Sequence, residues 1–229
     1  MHISVHNTCD DFNTYRAARV KSLFNPERGN EFNLEDDLDL EEGWQIGLIV
    51  GPSGSGKTSI GRMIFGEDRI HDLYAGWEEN KPIVECIAPE GDFDEVTGAL
   101  ASVGLGDVPA WLRPFKALSN GQQFRAGLAR LMAEAPADVV VDEFTSVVDR
   151  QIAQIGAAAF GKSWRRTGKR IILLACHYDI IEWLQPDWVY DPSRKELKKK
   201  AKSGPDPGLS LKFDRSTTVT GNTLSRIII

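Results

Sequence analysis

The chain has 229 residues, 41% of them hydrophobic, and a net charge of −6 at pH 7. That is enough apolar material for one sizeable core, and it supplies no overall positive field to draw in nucleic acid. The longest uncharged apolar stretch, "IILLAC" from Ile171 to Cys176, is far shorter than the roughly 20 residues of a membrane-spanning helix. "MHISVHNTCDDF" lacks the positive start and apolar run of a secretory leader, so the expectation is a soluble, cytoplasmic chain with no membrane insertion. Cys9, Cys86 and Cys176 lie far apart without CxxC spacing. A disulfide framework and a zinc site are therefore not expected.

In chain order, "HISVHNT" and "YRAARVKSLF" read as short strands. "EFNLEDDLDLEE" reads as a half-exposed strand whose carboxylates face water, because its apolar residues recur two or four apart. "WQIGLIV" is a buried strand running into "GPSGSGKTS", Gly51 to Ser59. The spacing Gly51, four residues, Gly56, Lys57, Thr58 is the full phosphate-cradling loop GxxxxGK[ST]. Glycine-rich backbone at Gly51, Pro52, Ser53, Gly54, Ser55 and Gly56 can wrap phosphates, and the helix "TSIGRMIFG" points its positive end at them. Lys57 then meets the terminal phosphates, Thr58 ligates Mg²⁺, and a nucleoside triphosphate is the expected ligand.

"PIVECIA" reads as the next buried strand and "DFDEVTGALASVGLG" as a helix with Asp92 or Asp94 near its start. "LSNGQQFRAGLARLMAEA" is a helix by the recurrence of Phe124, Leu128 and Leu131, and "ADVVVDEF" holds a buried parallel strand. "RQIAQIGAAAFGKSWRRTG" follows as a helix, "RIILLACH" as a strand and "DIIEWLQ" as a short helix stopped by Pro186. This alternation predicts a mostly parallel sheet wrapped in helices. Asp142 and Glu143 end one strand and His177 another, which puts all three at the sheet edge that carries the phosphate loop. There Asp142 holds the Mg²⁺ shell, Glu143 polarises the attacking water, and His177 either contacts the terminal phosphate or is structural. Beyond Asp191, "RKELKKKAKSGPDPG" reads as a linker or exposed loop, and "LSLKFDRSTTVTGNTLSRIII" as strand-like. The lysine run is either a solvated loop or a surface for a phosphate backbone.

Taken together and in this order, the phosphate loop, "LSNGQ", "VVVDEF", "SVVD" and His177 resemble the motif set of the ATP-binding cassette (ABC) ATPases. The resemblance spans about Gly51 to His177. It implies a P-loop NTPase of ABC type: α/β, with a mostly parallel core sheet, an N-terminal antiparallel β subdomain and a reduced helical subdomain. It also implies ATP with Mg²⁺ as cofactors and a head-to-tail homodimer. In such a dimer Ser119, Asn120, Gly121 and Gln122 contact the nucleotide held by the other copy, Asp149 senses that opposing site, and Ser59 belongs with the loop. An aromatic residue upstream stacks the base; Phe24 is the expected one, with Tyr15 the alternative. "VGLGDVPAWLRPFKALSNGQQFRAGLAR", "VVVDEFTSVVDR" and "CHYDIIEWLQPDWVYD" further resemble a soluble subgroup found fused to an acetyltransferase-like domain.

The chain departs from that pattern at Asn120, where the family usually has glycine, and in having no glutamine between Lys57 and Asn120. The glutamine that normally ligates Mg²⁺ and couples the helical subdomain to a partner is thus missing. Glu90, ahead of Glu85 and Asp92, is the expected substitute. The expected boundaries are 1–192 for the ATPase domain, with about 78–135 as the helical subdomain, and 193–229 for a basic linker and strand-like extension. The expected function is that of a soluble ATP-driven clamp or switch on a macromolecule such as nucleic acid; the alternatives are the ATPase subunit of a transporter with a separate permease and a nucleotide-gated module that hydrolyses slowly or not at all.

Overall fold

A computed structural model describes residues 1–8, 14–24 and 31–200. Cys9 and the strand-like stretch after Lys200 lie outside these residues. The fold is organised by one mostly parallel sheet. Its strands, in chain order, are β3 (Ile46–Val50), β4 (Ile70–His71), β5 (Val139–Val141), β6 (Ile171–Ala175), β7 (Trp188–Asp191) and β8 (Glu196–Lys199). They lie in the order β4-β5-β6-β3-β7-β8, all parallel except β8, which returns antiparallel to β7. Full burial of β3, β5 and β6 explains their near-unbroken Ile, Leu and Val content, since both faces of a parallel sheet are covered.

Alternate residues of these strands serve two cores. Leu48, Val50, Val139, Val141, Leu173 and Ala175 face one apolar cluster. With them pack the helices α3 (Ile83–Cys86), α4 (Phe93–Ser102), α5 (Val108–Trp111), α6 (Asn120–Glu134), α7 (Arg150–Trp164) and α8 (Ile180–Leu184). Ile49, Val140, Ile172 and Leu174 face the other cluster, shared with Ile60 of α2 (Lys57–Phe65) and with Ile3, Val5, Leu34 and Leu38. Ile3, Val5 and Leu34 come from the antiparallel pair β1 (His2–Thr8) and β2 (Glu31–Asp37), which forms a separate two-stranded sheet, and Leu38 directly follows β2.

Three expected elements differ. "YRAARVKSLF" is a helix, α1 (Tyr15–Phe24), not a strand. Its apolar residues do not alternate, Ala and Arg favour helix, and Thr14 Oγ1 accepts from the Ala17 N–H at 3.2 Å as a local cap. "PIVECIA" is also helical, as α3: Ile83 and Ile87 are buried one helical turn apart in the helical layer. A four-residue apolar run carries too little period to separate the two states. The basic segment begins not as a linker but as β8, so the core sheet continues past residue 192.

The acids of "EFNLEDDLDLEE" are not all left to water. Asp36 Oδ2 accepts from the Tyr190 hydroxyl at 2.7 Å. Lys199 Nζ lies 2.7 Å from Asp39 and 3.4 Å from Glu41, and those two contacts push the Lys199 ammonium pKa up and, with Asp39, push the carboxyl down.

The strand that feeds the phosphate loop is packed to contact at Gly47. A Cβ there would come within 2.1 Å of the Trp188 ring, which is itself buried against Trp44. Gly47→Ala is expected to lower unfolding stability by about 1–3 kcal/mol, and Trp188→Leu in the same chain to recover part of it. Equal urea midpoints for Gly47→Ala and wild type would contradict this packing.

Candidate functional site

Every segment of the site leaves the sheet at the carboxyl end of a strand. β3 ends in the loop Gly51–Gly56, where Gly54 and Gly56 hold φ of 80° and 81°, a left-handed conformation that glycine adopts without steric cost. The Gly51 N–H donates to Ala175 O at 3.2 Å, which pins the loop to the end of β6. Gly56 then opens α2, so the unpaired N–H groups of its first turn face the concavity. Lys57 is buried, and its ammonium donates to Gly51 O and Pro52 O, both at 2.8 Å. An ammonium has three donors, so one is left for an anion.

A cleft of about 270 Å³ lies over this loop. Ser53, Gly54, Gly56, Lys57, Thr58 and Ser59 form one wall, Asp142 and Glu143 another, and Phe32, Leu174 and Cys176 the remainder. Across it Thr58 Oγ1 donates to Asp142 Oδ2 at 2.8 Å. A hydroxyl beside a carboxylate is an oxygen set suited to a small hard cation. No group of three or more His, Cys, Asp or Glu that could hold a metal exists among the described residues. The Thr58–Asp142 oxygen pair itself is of the kind Mg²⁺ uses, since that ion takes one or two protein oxygens and completes its shell with phosphate oxygens and water.

Glu143 is exposed at the cleft with φ of 50°, and Thr145 follows at φ 67°. Non-glycine residues in this region carry strain that the surroundings must hold. Here Asp142 Oδ1 accepts from the Glu143 N–H at 2.8 Å, and the Phe144 N–H donates to Leu174 O at 2.8 Å.

Other expected residues lie outside this cleft. His177 is exposed, one residue beyond the cleft-lining Cys176. Ser55 is buried, with an Oγ that has no partner among the described residues. Glu90 is exposed in the loop between α3 and α4 and is not brought to Thr58 and Asp142; its choice rested on a strand that is in fact a helix. Ser119 caps α6 in a reciprocal box: its Oγ accepts from the Gln122 N–H at 3.3 Å and its own N–H donates to Gln122 Oε1 at 3.0 Å. Asn120 is exposed beside it and Gly121 is buried. This box leaves the N–H groups of Asn120 and Gly121 without a partner among the described residues, at the positive end of a 15-residue helix that does not line the chain's own cleft. Asp149 is exposed and caps α7 by accepting from the Gln151 N–H at 2.8 Å.

Among the described residues the aromatic side chain at the cleft is not Tyr15, which is 77% exposed on α1; Phe24 is the last residue of that helix, and its side chain lies outside what is described. Phe32 lines the cleft, its ring so close to the phosphate loop that a Cβ on Gly56 would meet it at 2.5 Å. The period of two that puts Leu34 in the core also puts Phe32 on that face, at the strand end beside the loop.

Behind the loop, Asp191 is buried, accepting from the Tyr178 hydroxyl at 2.7 Å and the Ser193 N–H at 2.9 Å, with Arg194 at 3.5 Å. Burial, and next the bond to Asp191, push the Tyr178 phenol up from its ordinary value.

No protein-family model matches the chain. It is 30% identical over 162 residues to the cytochrome c biogenesis ATP-binding export protein of Roseobacter denitrificans, covering 62% of this chain and 75% of that one. It is 29% identical over 180 residues to the taurine import ATP-binding protein of Jannaschia sp., covering 65% and 66%. The chain spans about half to two thirds of the length of the taurine import and oligopeptide transport proteins it matches. Its fold is that of a dimeric ATP-binding cassette solved with ADP and phosphate after hydrolysis, at a TM-score of 0.56 and 15% identity, covering 83% of this chain and 94% of that one.

Tyr178→Phe removes one donor from a buried carboxylate that keeps two others. A loss of about 1 kcal/mol is expected in urea unfolding. Because the folded phenol pKa is raised, the contribution is fully present below the ordinary tyrosine value and is lost as pH rises above it. The gap between wild type and variant should therefore shrink on the alkaline side alone; a gap that grows there would contradict the assignment.

Proposed function

Because the chain belongs to the ATP-binding cassette family, we propose that it binds ATP with Mg²⁺ and hydrolyses it as the ATPase subunit of a membrane transporter whose spanning chain is separate. The observation that carries this reading is the arrangement of the cleft. The Thr58–Asp142 pair, the Lys57 ammonium and the Glu143 carboxylate converge on it, while the open start of α6 lies outside it.

The chain's own residues then divide the work. Lys57 and the loop N–H groups neutralise the phosphates, and Phe32 packs against the nucleotide. Thr58 and Asp142 would hold Mg²⁺, which when bound offsets phosphate charge. Glu143 takes a proton from the attacking water, and His177 contacts the γ-phosphate. Most of the gain is positioning and electrostatics. The open helix start at Ser119–Gly121 suits a phosphate brought by a second copy, with Asp149 at the same junction, so ATP joins two chains head to tail.

Transport is favoured over a nucleic-acid clamp on two grounds. The relatives are named import and export proteins. Three of the five lysines that motivated a nucleic-acid surface are engaged within the chain: Lys199 with Asp39 and Glu41, Lys198 with Glu196 at 3.3 Å, and Lys195 with Glu35 O at 3.1 Å. No helix among the described residues is long and apolar enough to cross a membrane; the transporter reading assigns the spanning part to a separate chain and this one to the cytoplasmic face. The likeness to cassettes fused to an acetyltransferase-like domain rests on its quoted segments alone.

Glu143→Gln is expected to keep ATP binding and lower kcat at least about 100-fold, leaving an ATP-bound dimer visible by light scattering. Ser119→Arg should abolish that dimer without weakening nucleotide binding to the monomer. Turnover by Glu143→Gln at the wild-type rate would remove the general base. Equal dimer fractions for Ser119→Arg and its parent would remove the shared site. Phe32→Ala should weaken ATP binding about tenfold by loss of the ring contact. For the transport role, the tagged chain should co-purify from membranes with a multi-span protein; recovery from the soluble fraction alone would count against it.

A further inference from the structure

His177 makes no side-chain hydrogen bond among the described residues; its backbone is held on one side by the end of β6, two residues earlier, and on the other by the two residues that follow it. Tyr178 is held on Asp191. Asp179 is held by Arg150, the first residue of α7. Arg150 Nε donates to Asp179 Oδ2 at 3.0 Å, and one terminal amine of the guanidinium donates to Asp179 Oδ1. The other terminal amine reaches Thr145 Oγ1 at 3.5 Å, and the plane lies 4.9 Å over the Trp183 ring.

We propose that Arg150 is a positioning residue that locks the His177 segment to the strained turn carrying Glu143, so that one guanidinium sets both groups relative to the cleft. The proposal rests on the ATPase reading for its chemistry but not for its geometry. Thr145 lies two residues after Glu143, is almost fully buried and holds φ of 67°. Asp179 lies two residues after His177. Arg150 itself follows Asp149. One planar cation thus joins the three segments that bear Glu143, Asp149 and His177.

Stability alone does not account for this arrangement. The Arg150 and Asp179 side chains are 35% and 45% exposed, and pairs so open to water contribute little to folding. What a forked, ring-stacked guanidinium supplies instead is direction: two parallel bonds to one carboxylate fix its plane, and a third donor is left for Thr145. A lysine ammonium keeps the charge but cannot present that fork.

The test uses Arg150→Lys in the full chain, with Asp179→Asn as a second variant that keeps side-chain shape should the first not fold. The expected result is a kcat about tenfold lower or more, with the Kd for a non-hydrolysable ATP analogue and the urea midpoint close to wild type. The ring signals of His177, one of four histidines and assigned by loss in His177→Gln, should shift or broaden while those of His71 hold. Unmoved His177 signals with kcat within twofold of wild type overturn the proposal. So does a fall in kcat matched by an equal loss of nucleotide binding, which would mean general distortion. If wild type itself turns over no ATP, the ATPase reading fails, and the His177 signals alone decide: movement supports the lock and constancy overturns it.

Discussion

The parallel pairing of β3, β5 and β6 is the constraint from which the site follows. Val50 aligns with Ala175 and Val141 with Leu173, so the three strands run the same way in register. The chain segments after them must then emerge at one edge, however far apart they lie in sequence. Hydrogen bonds continue the ladder past the strand ends, from Gly51 to Ala175 and from Phe144 to Leu174. Only then does Thr58 reach across to Asp142. The phosphate loop, the acidic pair and the histidine segment do not need to find one another; the sheet delivers them.

What could be read from the sequence tracks how strongly a local pattern is tied to one structure. β3, β5 and β6 were legible because burial on both faces demands continuous Ile, Leu and Val. α6 and α7 were legible because long helices display their period and begin at the capping residues Ser119 and Asp149. α3 was misread because its four residues show no period, and α1 because it packs little: nearly every described residue along it is exposed, so no buried face imposes a pattern. β4 has two residues and gives no signal at all. In the site, residues inside the motifs were legible, whereas Phe32 and Cys176 were not, since a cleft wall is known only once β2 and β6 have been placed against the loop. Arg150 and Asp179 carry no motif, and their pairing exists only through the packing of α7 on α8.

Charge shows the same division between local reading and tertiary meaning. An acidic stretch near residues 35–41 and a basic one near residues 195–200 look like two solvated or ligand-seeking faces when read apart. The β7–β8 hairpin lays them side by side, where Lys199 meets Asp39 and Glu41 and the Lys195 ammonium meets Glu35 O. These pairs are exposed and each contributes little stability. Their consequence is electrostatic: the carboxylates of Asp39 and Glu41 offset the charge of Lys199 and weaken the positive field beside β8. The better anchor is Tyr190, whose hydroxyl reaches Asp36 from a buried ring and ties the two-stranded β1–β2 sheet to β7 of the core sheet.

The missing glutamine between Lys57 and Asn120 leaves open how the helical layer is held to the core, and the loop after β4 shows what does so here. Gly127 of α6 lies so near this loop that a Cβ would come within 2.7 Å of Leu73 O. One helical turn later Arg130, nearly buried, donates to Ala75 O at 2.6 Å and Gly76 O at 3.2 Å, with its guanidinium 4.3 Å from the centre of the Trp77 ring. Trp77 in turn stacks on Phe115 at 4.3 Å and donates to Leu73 O. A buried guanidinium is costly unless its donors are met; here each terminal amine has a carbonyl, while Nε lies 3.9 Å from Glu134 Oε1 without a hydrogen bond. The helix that starts at Ser119 is therefore joined through its middle to the strand beside β5. Its exposed start and the Asp142–Glu143 edge accordingly belong to one packed unit, and rotation of the helical layer against the core would have to break a desolvated cation from its carbonyls.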